Sequence, residues 1–301
     1  MPTLESIIKQ KVGRLETVPT KFEKMVFESQ KKIFDDILSL LDKLERSNGS
    51  IVMSSNNLLI VDEIAAETKK VILGGEYTQA VKEFAGEFDQ QAIINSDYFD
   101  KAFGTFTETE LAAQILTSTK TIAVEAMIGS VDNNFVLPLK DLLTKSVSSG
   151  SSWVDMVKEI KEFAEGGKEV DGKLLRYAKQ IASDTFATSD RSYTNAIVED
   201  SDYVWFLYSG GVIGGTRIFC DQRNDRYYHK KEIEKWADIE KWDGKVKGTD
   251  EKSIFIYAGG YNCKHSILPV SILLVPKLDI QRNIKNGNFI PSDFEKKELN
   301  L

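Results

Sequence analysis

The chain has 301 residues, 42% apolar and 28% charged, with a formal net charge of −7, the balance of an ordinary globular protein. That charge excludes a generic nucleic-acid coat, which needs excess Lys and Arg to neutralise phosphates. No apolar run reaches the roughly 18–20 residues of a membrane span, the opening MPTLESIIKQKVGRLE is no secretory leader, and two cysteines fit a reducing compartment rather than a disulfide scaffold.

Length alone suggests about two domains. The acidity is local: residues 1–200 carry 23 Lys and Arg against 32 Asp and Glu, whereas residues 201–301 carry 16 against 14. In chain order, Phe22, Val26, Ile33, Ile37, Leu40 and Leu44 line one face of a helix predicted over residues 20–46. SNGS at 47–50 ends it. Further helices are predicted over 57–73, over 77–94 with Tyr77, Val81, Phe84 and Phe88 on one face, and from a Thr107–Glu110 capping box to about 128. SDYFD at 96–100 reads as a turn. A shorter helix follows over 135–147. SSGSSW at 148–153 is the clearest break, after which Ser152 caps a helix to about 165. A long helix is predicted over 174–197.

The pattern then changes. DYVWFLYSGG, with aromatic and β-branched residues up to Tyr208, is a strand signal. Thr216–Cys220, SIFIYAGG at 253–260 and PVSILLV at 269–275 are further strand candidates. GGVIGG at 210–215 reads as a hairpin turn. A short helix over 229–241 turns Ile233, Trp236 and Ala237 inward. The expected fold is mainly α with a small C-terminal α+β module, its short antiparallel strands near 203–220 and 253–275. The expected organisation is a helical domain at 1–165, a module at 170–278 and a polar, loosely held tail at 279–301.

No phosphate-binding glycine loop, dinucleotide fingerprint, HExxH or GxSxG is present. Both cysteines and both histidines, Cys220, His229, Cys263 and His265, fall within 46 residues. Four arrangements fit them. They can form a packed core with hydrogen-bonded histidines or a tetrahedral structural zinc site. They can form a Cys220–Cys263 disulfide or a Cys–His nucleophilic pair. The spacings, C-x8-H and C-x-H, are not those of a zinc knuckle. A C-x-H pair ligates only from an extended or kinked chain, and Gly259-Gly260 permits a kink. Arg217, Arg223 and Arg226 form the one local basic cluster beside Asp221 and Asp225. They are candidate contacts for DNA or a protein partner, against the alternative of a solvated, salt-bridged loop.

TRIFC at 216–220, Arg223, YYHKKEIEKWA at 227–237, WDGKVKGT at 242–249 and IFIYAGGYNCKHSILPVS at 254–271 together resemble the C-terminal signature of phage minor head proteins, the Mu F-like head-morphogenesis family. The helix at 174–197 and the strand after it resemble it too, so the likeness covers residues 174–276. More Mu-like members carry C-x-x-C early and an HPNCRC-like close. Here Arg223 stands at the second cysteine and Lys264-His265 ends the second block, which leaves a mixed Cys/His site. The resemblance implies a non-enzymatic virion component of the phage head, present in the host cytoplasm during assembly. It implies binding to portal or major capsid protein and contact with packaged DNA. The opposing reading is a small nuclease, hydrolase or transferase using the Cys220/His229/Cys263/His265 cluster.

Overall fold

The computed structural model describes residues 2–104, 106–199 and 201–299. The chain is mainly helical, with a small α+β module toward its C-terminus. Helix α1 runs Leu4–Leu41 and contains Pro19, so it begins well before the predicted residue 20. Proline removes one helix hydrogen bond and crowds the preceding turn. The helix continues because its apolar stripe does: Ile7, Leu15, Val18, Phe22, Val26, Ile33 and Ile37 are all buried, and tertiary burial outweighs local propensity.

SNGS does more than end α1. Arg46–Ser47 (β1) and Ser50–Ile51 (β2) pair antiparallel. Between them Asn48 and Gly49 take φ angles of 50° and 80°, the two left-handed residues of a type I′ hairpin. Helix α2 (Ser55–Gly74) is capped by Ser54, whose hydroxyl accepts from Asn57 N. Helix α3 (Glu76–Phe103) runs through the turn predicted at 96–100, because Tyr98 and Phe99 continue the buried stripe of Tyr77, Val81, Phe84 and Phe88. Helix α4 (Glu110–Val124) is capped by Thr109, not Thr107: Thr109 Oγ1 accepts from Ala112 N at 3.1 Å. Helix α5 (Leu137–Ser149) ends at left-handed Gly150, and α6 (Trp153–Ala164) has Ser152 as its cap, as predicted. Helix α7 runs Lys173–Val198. Among the described residues no helix is long and apolar enough to cross a membrane.

The folded chain does not divide near residues 165–170, where the linear reading places a boundary. One compact unit comprises Met1–Thr17, Glu87–Thr119 and Ser183–Leu301; the other comprises Val18–Gly86 and Lys120–Ala182. The second unit is helical. In it Phe22 stacks on Phe84 at 4.6 Å, Tyr77 Oη donates to Met127 O, and Leu175 N donates to Gln30 Oε1. The first unit is tied by a wholly buried ion pair between Lys11 and Asp190. Lys11 also donates to Asn95 and Thr194, and Asp190 accepts from Gln91, Asn95 and Ser266. All three chain segments supply members, so the unit cannot be cut along the sequence.

The first unit holds the α+β module. Its elements are β3 (Trp205–Ser209), α8 (Ile218–Asp221), β4 (Arg226–His229), α9 (Lys230–Glu234), α10 (Ile254–Tyr257), β5 (Ser266–Pro269), α11 (Lys277–Lys285) and α12 (Asp293–Leu299). The sheet is antiparallel in the order β4-β3-β5, with Leu207 of β3 opposite both Tyr227 and Leu268. Central β3 is buried at every position, which accounts for its unbroken apolar run. The predicted strand at 216–220 is instead the short helix α8. The predicted strand at 253–260 is instead α10: the Asp250 carboxylate accepts from the N–H groups of Lys252 and Ser253 and starts a helical turn. GGVIGG leads from β3 into α8, with a turn closed by Thr216 N to Ile213 O at 2.8 Å. The tail is not loose. It forms α11 and α12 and buries Ile280, Phe289 and Leu299 in the module core, which also takes in Ile7, Tyr98 and Phe99.

Candidate metal centre

Helix α8 carries Cys220, and the turn entering β5 carries Cys263 and His265. All three are buried, and one ligand atom from each lies within 4.8 Å of the others. The turn is built for close approach. Ala258, Gly260 and Asn262 all have positive φ. A Cβ on Gly259 would stand 2.2 Å from Cys220 Sγ and 2.9 Å from Cys263 Sγ, and one on Gly260 would stand 1.9 Å from Gly244 O. Both glycines of GGYNCKH are therefore required by contact, not only by turn geometry.

The two sulfurs are 3.8 Å apart and are free thiols. A disulfide needs about 2.05 Å, so the disulfide arrangement is not formed. Cys263 Sγ stands 3.9 Å from His265 Nδ1. Two donors about 2.3 Å from one tetrahedral ion are separated by about 3.8 Å, and a sulfur–nitrogen edge is about 3.6 Å. The observed separations are close to those edges. The other ring nitrogen, His265 Nε2, is buried and has no hydrogen-bond partner among the described residues. The donor set of two sulfurs and one imidazole suits zinc or another thiophilic ion.

Hydrogen bonds support negative charge on the sulfurs. Tyr208 Oη donates to Cys220 Sγ at 3.3 Å, and Gly259 N donates to Cys263 Sγ at 3.3 Å. The Tyr208 ring also stacks on His265, with centroids 5.1 Å apart. Buried Arg191, on α7, donates from Nη1 to the carbonyls of Cys263 and His265 at 2.9 and 3.0 Å. The hydrogen bond from Cys220 chiefly, then that of the His265 imidazole and the charge of Arg191, hold the Cys263 thiol well below its usual range, against the opposing effect of burial. Cys220 is pushed up, first by its hydrogen bond to Cys263 and then by burial. A bound cation would favour loss of the thiol protons, since the thiolate is the metal ligand. A cavity of about 200 Å³ lined by Thr216, Arg217, Asn262 and Lys264 reaches all three candidate ligands.

No family model matches this chain. No curated protein and no solved structure matches it significantly either.

His229, the fourth predicted ligand, is not in the group. It ends β4 and caps α9, its Nδ1 accepting from Lys231 N at 3.2 Å, and its ring packs against Trp205 and Phe289. The arginine trio also separates. Arg217 donates to Tyr261 O at 2.6 Å and lies 3.5 Å from Asp243, beside the candidate metal ligands. Arg223 lies over the Phe219 ring at 3.8 Å and near Trp236 at 4.8 Å. Exposed Arg226 shares a second cleft with Arg223 and with Arg282 from the tail. Tyr208, Arg191 and Arg282 were not among the predicted site residues. For Arg191 the available signal was a charge on the buried stripe of a long helix; for Tyr208, a hydroxyl on a wholly buried strand. A larger cavity, about 760 Å³, lies between the first turns of α1 and the sheet. It mixes Leu4, Ile8, Val12 and Leu274 with the Glu5–Lys9 ion pair, and it brings no metal-ligating cluster together among the described residues.

Proposed function

We propose that the chain is a structural minor head protein of a phage, acting in head assembly by binding portal or capsid protein. Its C-terminal module would be stapled by one zinc ion at Cys220, Cys263 and His265. One observation carries this reading: the separate sequence blocks that resemble the family signature meet in one core. Phe219 from TRIFC stacks on Trp242 from WDGKVKGT at 4.4 Å and meets Trp236 edge-on. Trp242 Nε1 donates to Gly259 O at 3.0 Å, beside the paired cysteines. Packing of these blocks on one another supports reading them as one unit.

Binding suits the site better than turnover. His229, the histidine outside the Cys/His group, has its Nδ1 engaged as a helix cap and its ring buried among aromatics. A structural ion in such a module supplies folding free energy, roughly 10–16 kcal/mol in isolated finger peptides. Purified protein should contain about one equivalent of zinc by elemental analysis. Cys220→Ser and His265→Ala should lose it, and His229→Ala should keep it. Retention by all three variants defeats the staple. For the assembly role, virions from a strain lacking the gene should be scarce or empty of DNA; normal yield, DNA content and infectivity would rule the role out.

A further inference from the structure

We infer that the cleft formed by Gln222, Arg223, Arg226, Tyr228, Trp236 and Arg282 binds a phosphate group. The cleft has a volume of about 480 Å³ and lies apart from the lining of the metal centre. Three guanidinium groups line it with one carboxylate, Glu232, and Asp279 outside the lining also pairs with Arg282. This balance is unusual in a chain with net charge −7.

Arg223 and Arg226 have no carboxylate within ion-pair distance among the described residues, whereas Arg282 is paired with two. Arg223 is held flat by Phe219 and Trp236 and donates from Nη1 to Phe219 O at 2.9 Å. Its Nε is buried without an acceptor, and no described carboxylate lies within ion-pair distance of it. Arg282 spends its terminal nitrogens on Asp279, Glu232 and Tyr227 O, yet its Nε too is buried without an acceptor. Arg226, exposed at the start of edge strand β4, makes no ion pair among the described residues. Half-burying Arg223 disfavours its charge; Tyr228, Tyr208, Cys220 and, least, Glu232 oppose this, and none of them is a carboxylate at ion-pair distance. An incoming anion would restore the balance.

Phosphate fits these donors better than a carboxylate does. It offers several acceptor oxygens in a tetrahedral array and more negative charge, and planar guanidinium forks bind it with paired hydrogen bonds. The aromatic floor fixes Arg223 before binding, so little side-chain freedom is lost when the anion arrives. Arg282 comes from the tail, some sixty residues beyond Arg223 in sequence, so the cleft exists only once α11 is packed.

Inorganic pyrophosphate is the probe, titrated into the full-length protein by calorimetry and by tryptophan fluorescence. Saturable binding is expected. Arg226→Gln, at an exposed strand position, should weaken it about tenfold, the loss expected for one charge-assisted hydrogen bond. Arg176→Gln, at an exposed site on α7, should leave it unchanged. The unfolding midpoint of Arg226→Gln should match wild type, which separates lost binding from lost fold. Displacement by a short DNA single strand would place the phosphate on a nucleic-acid chain. Competition by free nucleotides alone would place it on a small phosphate ester. No saturable binding, or equal binding by Arg226→Gln, overturns the inference.

Discussion

His229 looks like a catalytic or ligating histidine in the sequence and acts as a packing one in the fold. Burial, with Lys231 beside it, lowers its pKa from the ordinary 6.5 to about 4. The unfolded chain therefore takes up a proton on His229 before the folded chain does. Stability from this residue is complete above about pH 6.5 and is lost as pH falls toward about 4. His229→Asn, which keeps an acceptor for Lys231 N, should flatten that loss. The measurement is the urea midpoint of both proteins across this range; parallel curves would show that His229 does not couple folding to protons. The contrast with His265 is one of neighbours. Imidazole beside two thiols is placed where it could hold an ion; imidazole beside Trp205 and Phe289, with Nδ1 on a backbone N–H, is a cap. Residue type and spacing were legible here, and the distinction between the two histidines was not.

At the scale of elements, periodicity located the long helices because each buries a continuous stripe. Phe22, Val26, Ile33 and Ile37 in α1, and Tyr77, Val81, Phe84 and Phe88 in α3, are all buried. Short apolar runs were less legible. IFIY reads equally as a strand or one helical turn, and the Asp250 turn before it decided for helix. Tail polarity concealed α11, whose sequence KLDIQRNIK buries Ile280 among mostly polar neighbours. Ile280→Ala should cost about 2–5 kcal/mol of unfolding free energy. Leu278→Ala, two residues away but 79% exposed, should stay within about 0.5 kcal/mol. Chemical denaturation of the two variants measures both; equal effects would mean that the tail is not part of the core.

The first unit is organised by a contact that no local pattern announces. Lys11 and Asp190 are each 0% exposed, and with Asn95, Gln91, Thr194 and Ser266 they join segments far apart in sequence. Removing one partner of a buried pair strands the other charge. Lys11→Met should therefore lose about 3–5 kcal/mol of stability. Lys9→Met breaks only the exposed pair with Glu5 and should cause no measurable loss. Urea unfolding checks both, and a neutral Lys11→Met would show that the pair does not hold the first unit together. The same tertiary arrangement explains why the α+β module needs residues from both ends of the chain. A core of about 75 residues alone would be marginal, and Ile7, Tyr98, Phe99, Ile280 and Phe289 enlarge it.

The sequence by itself determined the mainly helical class, the small α+β module, the helix stripes and the gathering of Cys220, Cys263 and His265 into one short region. These follow from periods of side-chain burial and from residue chemistry, which are local properties. Tertiary structure alone decided that His229 leaves the group, that Tyr208 and Arg191 complete its surroundings, and that Arg282 joins Arg223 and Arg226. Each of these depends on a distance between residues remote in sequence. Such distances are set by which buried surfaces and charges satisfy one another, and spacing along the chain does not contain them.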